Sequence, residues 1–237
     1  MIMSEQTFRF RQFQVSHDRC AMKVGTDGVL LGAWAQVEAC RRVLDIGTGT
    51  GLIALMAAQR NAGAMVTAVE IDPDAVSQAR ENVGQSPFAR RIEVVEADIR
   101  DYVPAEPFDC ILCNPPFFSE DTLPPDGSRA LARHASLLSF KELITLVSNR
   151  LLSPDGTFHV ILPHSECTSF VDEAFMCGLK LIRKCQVRTV LRKPPKRVLL
   201  SFSPRGPIVR DTETLVLQNP DGSRTEDYAS LTQNFYL

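Results

Sequence analysis

From residue 43 the chain alternates short apolar runs with segments whose apolar positions recur at helical spacing. "VLDI" (43–46), "VTAVEI" (66–71), "IEVVEAD" (92–98), "FDCILCN" (108–114) and "GTFHVILP" (156–163) read as buried strands. Between them, "LIALMAAQR" (52–60), "PDAVSQARENV" (73–83), "SFKELITLVSNRLL" (139–152) and "SECTSFVDEAFMCG" (165–178) read as helices. Pro73 suits a first helical turn, and Ser139 with Glu142 three residues on forms a capping-box pattern. Alternation of this kind predicts βαβ units, hence a doubly wound α/β fold with a mostly parallel sheet and helices on both faces.

The pattern changes after residue 178. "LKLIRKCQVRTVLRKPPKRVLLSFS" (179–203) reads as two strands joined by a basic Pro-Pro turn, with no helix between them. They are expected to pair antiparallel at one edge of the sheet. "ETLVLQN" (213–219) reads as a further short strand, and "RTEDYASLTQNFYL" as a short terminal helix. Residues 41–237 are expected to form one domain, preceded by an extension over residues 1–40.

Composition narrows the class. Of 237 residues, 44% are hydrophobic, enough for a sizeable core, and the net charge of −2 is that of an ordinary soluble protein. No apolar run approaches the roughly 18–20 residues that span a bilayer, so no membrane partner is expected. The opening "MIMSEQTFRFRQFQ" lacks the basic start and apolar stretch of a signal peptide, which makes a cytoplasmic location the expectation. Seven cysteines without framework spacing fit a reducing compartment. Cys110 and Cys113 sit three apart in a strand, on opposite faces, so they read as buried packing residues. His17, His134, His159 and His164 lack metal-ligand spacing, and no metal is expected.

Candidate chemistry begins at "DIGTGTG". Asp45, Gly47, Gly49 and Gly51 lie between a strand and a helix, where glycines let the backbone turn sharply and approach a ligand. A dinucleotide fingerprint needs G-x-G-x-x-G, but the third position here is Leu52. Glycine at every second place after an acid instead resembles the S-adenosylmethionine (AdoMet) loop of class I methyltransferases. Glu70 ends the next strand, where a carboxylate can accept both ribose hydroxyls. Asp98 ends the third strand, where that family contacts adenine. Thr48 and Ile71, beside these residues, complete this part of the candidate cofactor set.

The fourth strand runs into Asn114-Pro115-Pro116-Phe117. "NPPF" resembles the [DNS]PP[YFW] motif of amino-methyltransferases, which act on adenine N6, cytosine N4 or a glutamine amide. An exocyclic amine is a poor nucleophile because its lone pair is delocalised. The Asn114 side-chain oxygen and the Pro115 carbonyl can each accept one of its N–H groups, favouring a lone pair that faces the methyl donor. The prolines hold both acceptors in place, and Phe117 offers a face for a splayed base. Asn114, Pro115 and Phe117 are therefore the catalytic candidates, with Asn114 also facing the cofactor. Alone, either motif could be no more than a turn; at successive strand ends they support each other.

"MKVGTDGVLLGAWA" (22–35), the AdoMet-type loop, "NPPF", "RKPPKRVLLSF" (192–202) and "YASLTQNFYL" together resemble the bacterial tRNA1(Val) (adenine(37)-N6)-methyltransferase family over nearly the whole chain. The resemblance implies a Rossmann-like class I methyltransferase: a single seven-stranded, mostly parallel sheet with one antiparallel edge strand. It implies AdoMet as cosubstrate, S-adenosylhomocysteine as product, and the anticodon loop of a valine tRNA as partner. It also implies that the N-terminal extension covers the AdoMet pocket, bringing Lys23, Thr26 and Asp27 near the methionine end or the target base. A local alternative makes Asp27 the cap of a helix whose apolar face is Leu30, Leu31 and Trp34. From Lys180 to Arg210 there are ten basic residues and no acid, which suits phosphate contacts by Arg192, Lys193, Lys196 and Arg197 or else a solvated strand edge. A monomer is expected. The alternatives are a glutamine N5-methyltransferase of proteins, which would normally carry tyrosine after the prolines, or an adenine N6-methyltransferase of another RNA or of DNA.

Overall fold

The computed structural model describes residues 7–20, 23–115, 138–209 and 211–237. Strands β1 (Thr7–Arg9) and β2 (Gln14–Ser16) form an antiparallel hairpin ahead of helix α1 (Thr26–Trp34). Then follow β3 (Arg42–Ile46), α2 (Leu52–Arg60), β4 (Met65–Glu70), α3 (Pro73–Gly84), β5 (Ile92–Glu96) and β6 (Phe108–Cys113). Beyond them come α4 (Phe140–Leu146), β7 (Leu152–Pro163), α5 (Cys167–Met176), β8 (Lys180–Val190), β9 (Arg197–Ser203), β10 (Glu213–Gln218) and α6 (Glu226–Thr232).

Helix ends follow local chemistry. The Asp72 side chain caps α3 by accepting from Asp74 N at 2.9 Å, with Pro73 in the first turn. Ser139 and Glu142 form the reciprocal capping box of α4. That helix is shorter than its periodicity suggests, because Val147–Leu151 widens into a π-helical turn that leads into β7. Gly25, not Asp27, is the N-cap residue of α1, leaving the Asp27 side chain free for a distant partner.

Eight strands form one sheet in the order β10-β8-β9-β7-β6-β3-β4-β5, where seven were expected. Only β9 runs antiparallel, and it lies inside the sheet between β7 and β8. The expected antiparallel edge strand is thus an interior one, and β10, parallel to β8, forms the edge. Burial explains the order. β9 is almost wholly buried, from Val198 to Ser203, and carries one basic side chain, whereas β8 carries four and is mostly half-buried. The more apolar strand therefore takes the position covered on both sides.

The two sheet faces carry separate apolar clusters. One joins the N-terminal hairpin, α1, α2 and α6; the other joins α4 and α5. Cys110 belongs to the first and Cys113 to the second, which puts them on opposite faces as strand periodicity requires. All seven cysteines are free. No helix among the described residues is long and apolar enough to cross a membrane.

Candidate active site

Adjacent strands β3 and β6 diverge in connectivity, and their carboxyl ends open a crevice of the type that binds ligands in doubly wound sheets. The loop after β3 makes its floor. Gly47 N and Thr48 N both donate to Val69 O, at 2.9 and 3.1 Å, which pins the loop against the end of β4. Gly47, Gly49 and Gly51 have φ of 67°, 54° and 82°, values a side chain disfavours. Gly47 and Gly49 face open space, whereas Gly51 packs on Ala79 of α3 and starts α2. The alternate glycines thus do two jobs, two lining the crevice and the third packing.

Asp45 does not line the crevice. It is fully buried beneath the loop, where Oδ2 accepts Thr48 Oγ1 at 2.5 Å and Ala54 N at 3.1 Å. Burial pushes its pKa up to about 7, with the Glu70 carboxylate adding to the rise.

Two compartments meet at Gly47 and Asn114. The first, of about 100 Å³, is bounded by Glu70, Ile71, Asp98, Arg100, Pro115 and Leu138. Glu70 Oε2 accepts Gly49 N at 2.8 Å, and Oε1 accepts Ile71 N and Asp72 N. Ile71 is 53% exposed here, a bare apolar side chain in the wall of the compartment. Asp98 binds Arg100 through both carboxylate oxygens. That guanidinium holds the Asp98 carboxyl below its usual range. Arg100 had no sequence signal beyond lying two residues past Asp98.

The second compartment, of about 290 Å³, is lined by Lys23, Thr26, Asp27, Thr48 and Gly49, among others. The N-terminal segment is tied down beside it. Asn82 of α3 accepts Ser16 N at 2.9 Å and donates to Ser16 O and to Thr50 O of the glycine loop, both at 2.9 Å. Gln78 accepts Arg19 N at 3.2 Å. Both side chains are buried polar groups on a helix, a pairing that periodicity alone does not reveal.

Asn114 stands where the compartments join, and its Oδ1 is buried without a hydrogen-bond partner. A buried acceptor left unpaired costs about 1–3 kcal/mol, and at this junction Asn114 Oδ1 is open to a donor. Phe117 lies outside the described residues, as does the rest of its loop. Lys196 and Arg197 border a neighbouring hollow, while exposed Arg192 and Lys193 sit on the Pro-Pro turn away from both compartments. Arg197 Nε donates to Asp27 Oδ2 at 2.7 Å. Among the described residues no three His, Cys, Asp or Glu side chains gather as a metal-holding group.

The fold has solved counterparts. A predicted O-methyltransferase of Agrobacterium tumefaciens superposes with a TM-score of 0.63 at 21% identity, covering 88% of this chain and 96% of its own. The glycopeptide N-methyltransferase MtfA, solved with S-adenosylmethionine, gives 0.54 at 16% identity, covering 78% and 90%. Residues 21–172 match the methyltransferase small domain family. Proteins named tRNA1(Val) (adenine(37)-N6)-methyltransferase are 48% identical in Bacteroides fragilis and 43% in Parabacteroides distasonis, over 99% of each chain. That of Citrobacter koseri is 44% identical over 97% of this chain and 94% of its own. A glycine loop, a strand-end acid and an asparagine at the fourth crevice strand thus accompany full-length similarity, and the chain belongs to the tRNA1(Val) (adenine(37)-N6)-methyltransferase family.

Proposed function

We propose that the protein methylates N6 of an adenine in tRNA, adenine 37 of tRNA1(Val) by the name its relatives carry, with AdoMet as methyl donor. The observation that carries this reading is the unpaired, buried Asn114 Oδ1 at the junction of the two compartments. The residues fit AdoMet: Glu70 for the ribose hydroxyls, Ile71 and Asp98 for the adenine, and Gly47, Thr48, Gly49, Lys23 and Thr26 for the methionine end. Bound there, AdoMet supplies an electrophilic methyl group and departs as S-adenosylhomocysteine.

The rest of the chemistry belongs to the chain. Asn114 Oδ1 and the Pro115 carbonyl each accept one N–H of the target amine. These bonds strengthen as the nitrogen loses conjugation, so they stabilise the transition state more than the ground state. Pro115 and Pro116 limit backbone rotation around the acceptors. Phe117 offers the face on which the unstacked adenine rests. The proton becomes acidic only after methyl transfer begins, so no strong base is required. Lys23 to Gly28 of the N-terminal extension border the methionine side of the pocket, and the seven free thiols support a cytoplasmic setting.

Incubation with methyl-labelled AdoMet and separate pools of tRNA, ribosomal RNA, DNA and protein tests the reading. Label is expected in tRNA, as N6-methyladenosine on nucleoside mass spectrometry, and absent when adenine 37 of a tRNA1(Val) transcript is replaced by guanine. Label confined to protein glutamine or to DNA overturns it.

A further inference from the structure

Beside the methyl-transfer crevice lies a second hollow of about 510 Å³, within the range of about 300–1,000 Å³ that accommodates small organic groups. It shares two lining residues, Thr26 and Asp27, with the crevice, so the two are contiguous. Its walls come from distant parts of the chain. Phe8 belongs to the N-terminal hairpin, Lys196 immediately precedes the interior antiparallel strand, and Arg224 and Tyr236 belong to the C-terminal segment.

Cations and aromatic rings are interleaved in these walls. The Arg224 guanidinium carbon sits 4.3 Å from the centroid of the Tyr236 ring. Arg224 is exposed, and neither it nor Lys196 forms an ion pair among the described residues. Phe8, 36% exposed, stands edge-on to Tyr236 with centroids 6.0 Å apart. Among the described residues that line the hollow, the one carboxylate, Asp27, is paired with Arg197. An anionic partner with a flat apolar face matches this combination of an exposed lysine, a ring-stacked guanidinium and the partly bare Phe8 ring.

We infer that the hollow is a second RNA subsite, holding a single-stranded nucleotide adjacent to the target adenine. Its base lies against Phe8 and the Arg224–Tyr236 stack, and its phosphate meets Lys196 and Arg224. Continuity through Thr26 and Asp27 lets one strand occupy the hollow while the next base enters the crevice. The inference rests on the RNA reading above and adds to it a site for a nucleotide that is not modified.

The probe is an RNA hairpin that carries the target adenine in its loop and 4-thiouridine at a neighbouring loop position. Irradiation of the full-length protein with this RNA is expected to crosslink a peptide containing Phe8 or Tyr236. Phe8→Ala is expected to weaken hairpin binding about tenfold. Arg224→Glu is expected to do the same and to lower the salt slope by about one unit. Both side chains are exposed, and AdoMet affinity measured by calorimetry, which reports an intact fold, is expected to stay at the wild-type value. If wild-type protein methylates the hairpin while both variants bind it as tightly and crosslinks fall elsewhere, the subsite is overturned alone. If wild-type protein neither binds nor methylates any RNA, the function beneath it falls as well.

Discussion

Glu70 Oε2 accepts the backbone N–H of Gly49 at 2.8 Å. The carboxylate at the end of one strand thus shapes the loop that follows another. With its bonds to Ile71 N and Asp72 N, it organises both turns that border the crevice. Glu70→Ala is expected to weaken AdoMet binding by about 1.5–3 kcal/mol, the range for hydrogen bonds to a charged group. Glu70→Gln is expected to lose nearly as much, because its amide NH₂ must face at least one of three backbone donors. Calorimetry decides; an unchanged dissociation constant in Glu70→Ala sinks the assignment.

Asn114→Ala removes an acceptor that matters most as the target nitrogen loses conjugation. The expected fall in kcat is roughly 10²–10³, the cost of one preorganised polar partner. AdoMet affinity is expected to change little. Asn114→Asp keeps an acceptor oxygen and is expected to retain more activity than Asn114→Ala. Single-turnover methylation of a tRNA1(Val) transcript measures both; a wild-type rate in Asn114→Ala refutes the role.

The basic edge divides into two kinds of residue. Lys193 and Lys196 are exposed, whereas Arg197 is bonded to Asp27 in the wall of the larger crevice compartment. Lys193→Glu with Lys196→Glu is expected to weaken RNA binding, to reduce its salt slope by up to about two units, and to spare AdoMet. Arg197→Glu is expected to weaken AdoMet binding too, since it sets a second carboxylate against Asp27. The Asp27–Arg197 coupling in a double-mutant cycle is expected below about 1 kcal/mol, because both side chains remain partly solvated. Equal AdoMet affinity in wild type and Arg197→Glu contradicts this division.

Asp45 makes stability depend on pH. Its folded pKa is raised to about 7 by burial, while an aspartate in an unfolded chain ionises near 3.9, or about that value. Between those values the folded protein keeps a proton that the unfolded chain has lost, so stability falls as pH rises through the window. Asp45→Asn removes this term. The loss of melting temperature between about pH 4.5 and about pH 7.5 is expected to be smaller in the variant than in wild type. An identical pH slope in the two proteins excludes the effect.

Much of this protein was legible from local pattern. Strand and helix periodicity, the Ser139–Glu142 capping box, the proline-started helix after Asp72 and the opposed Cys110 and Cys113 all depend on neighbours within a few residues. That the glycine loop, Glu70, Asp98 and Asn114 border one crevice was also readable, because each follows or ends a strand and doubly wound sheets gather those ends on one side. Tertiary structure alone decided the rest. It placed β9 inside the sheet with β10 as the edge, and joined Asp27 to Arg197 across 170 residues of sequence. It brought the chain ends together, Arg11 N donating to Phe235 O at 2.9 Å. The physical reason is that periodicity encodes which face of an element is buried, whereas pairing order and distant ion pairs depend on which surfaces bury one another best once all are present.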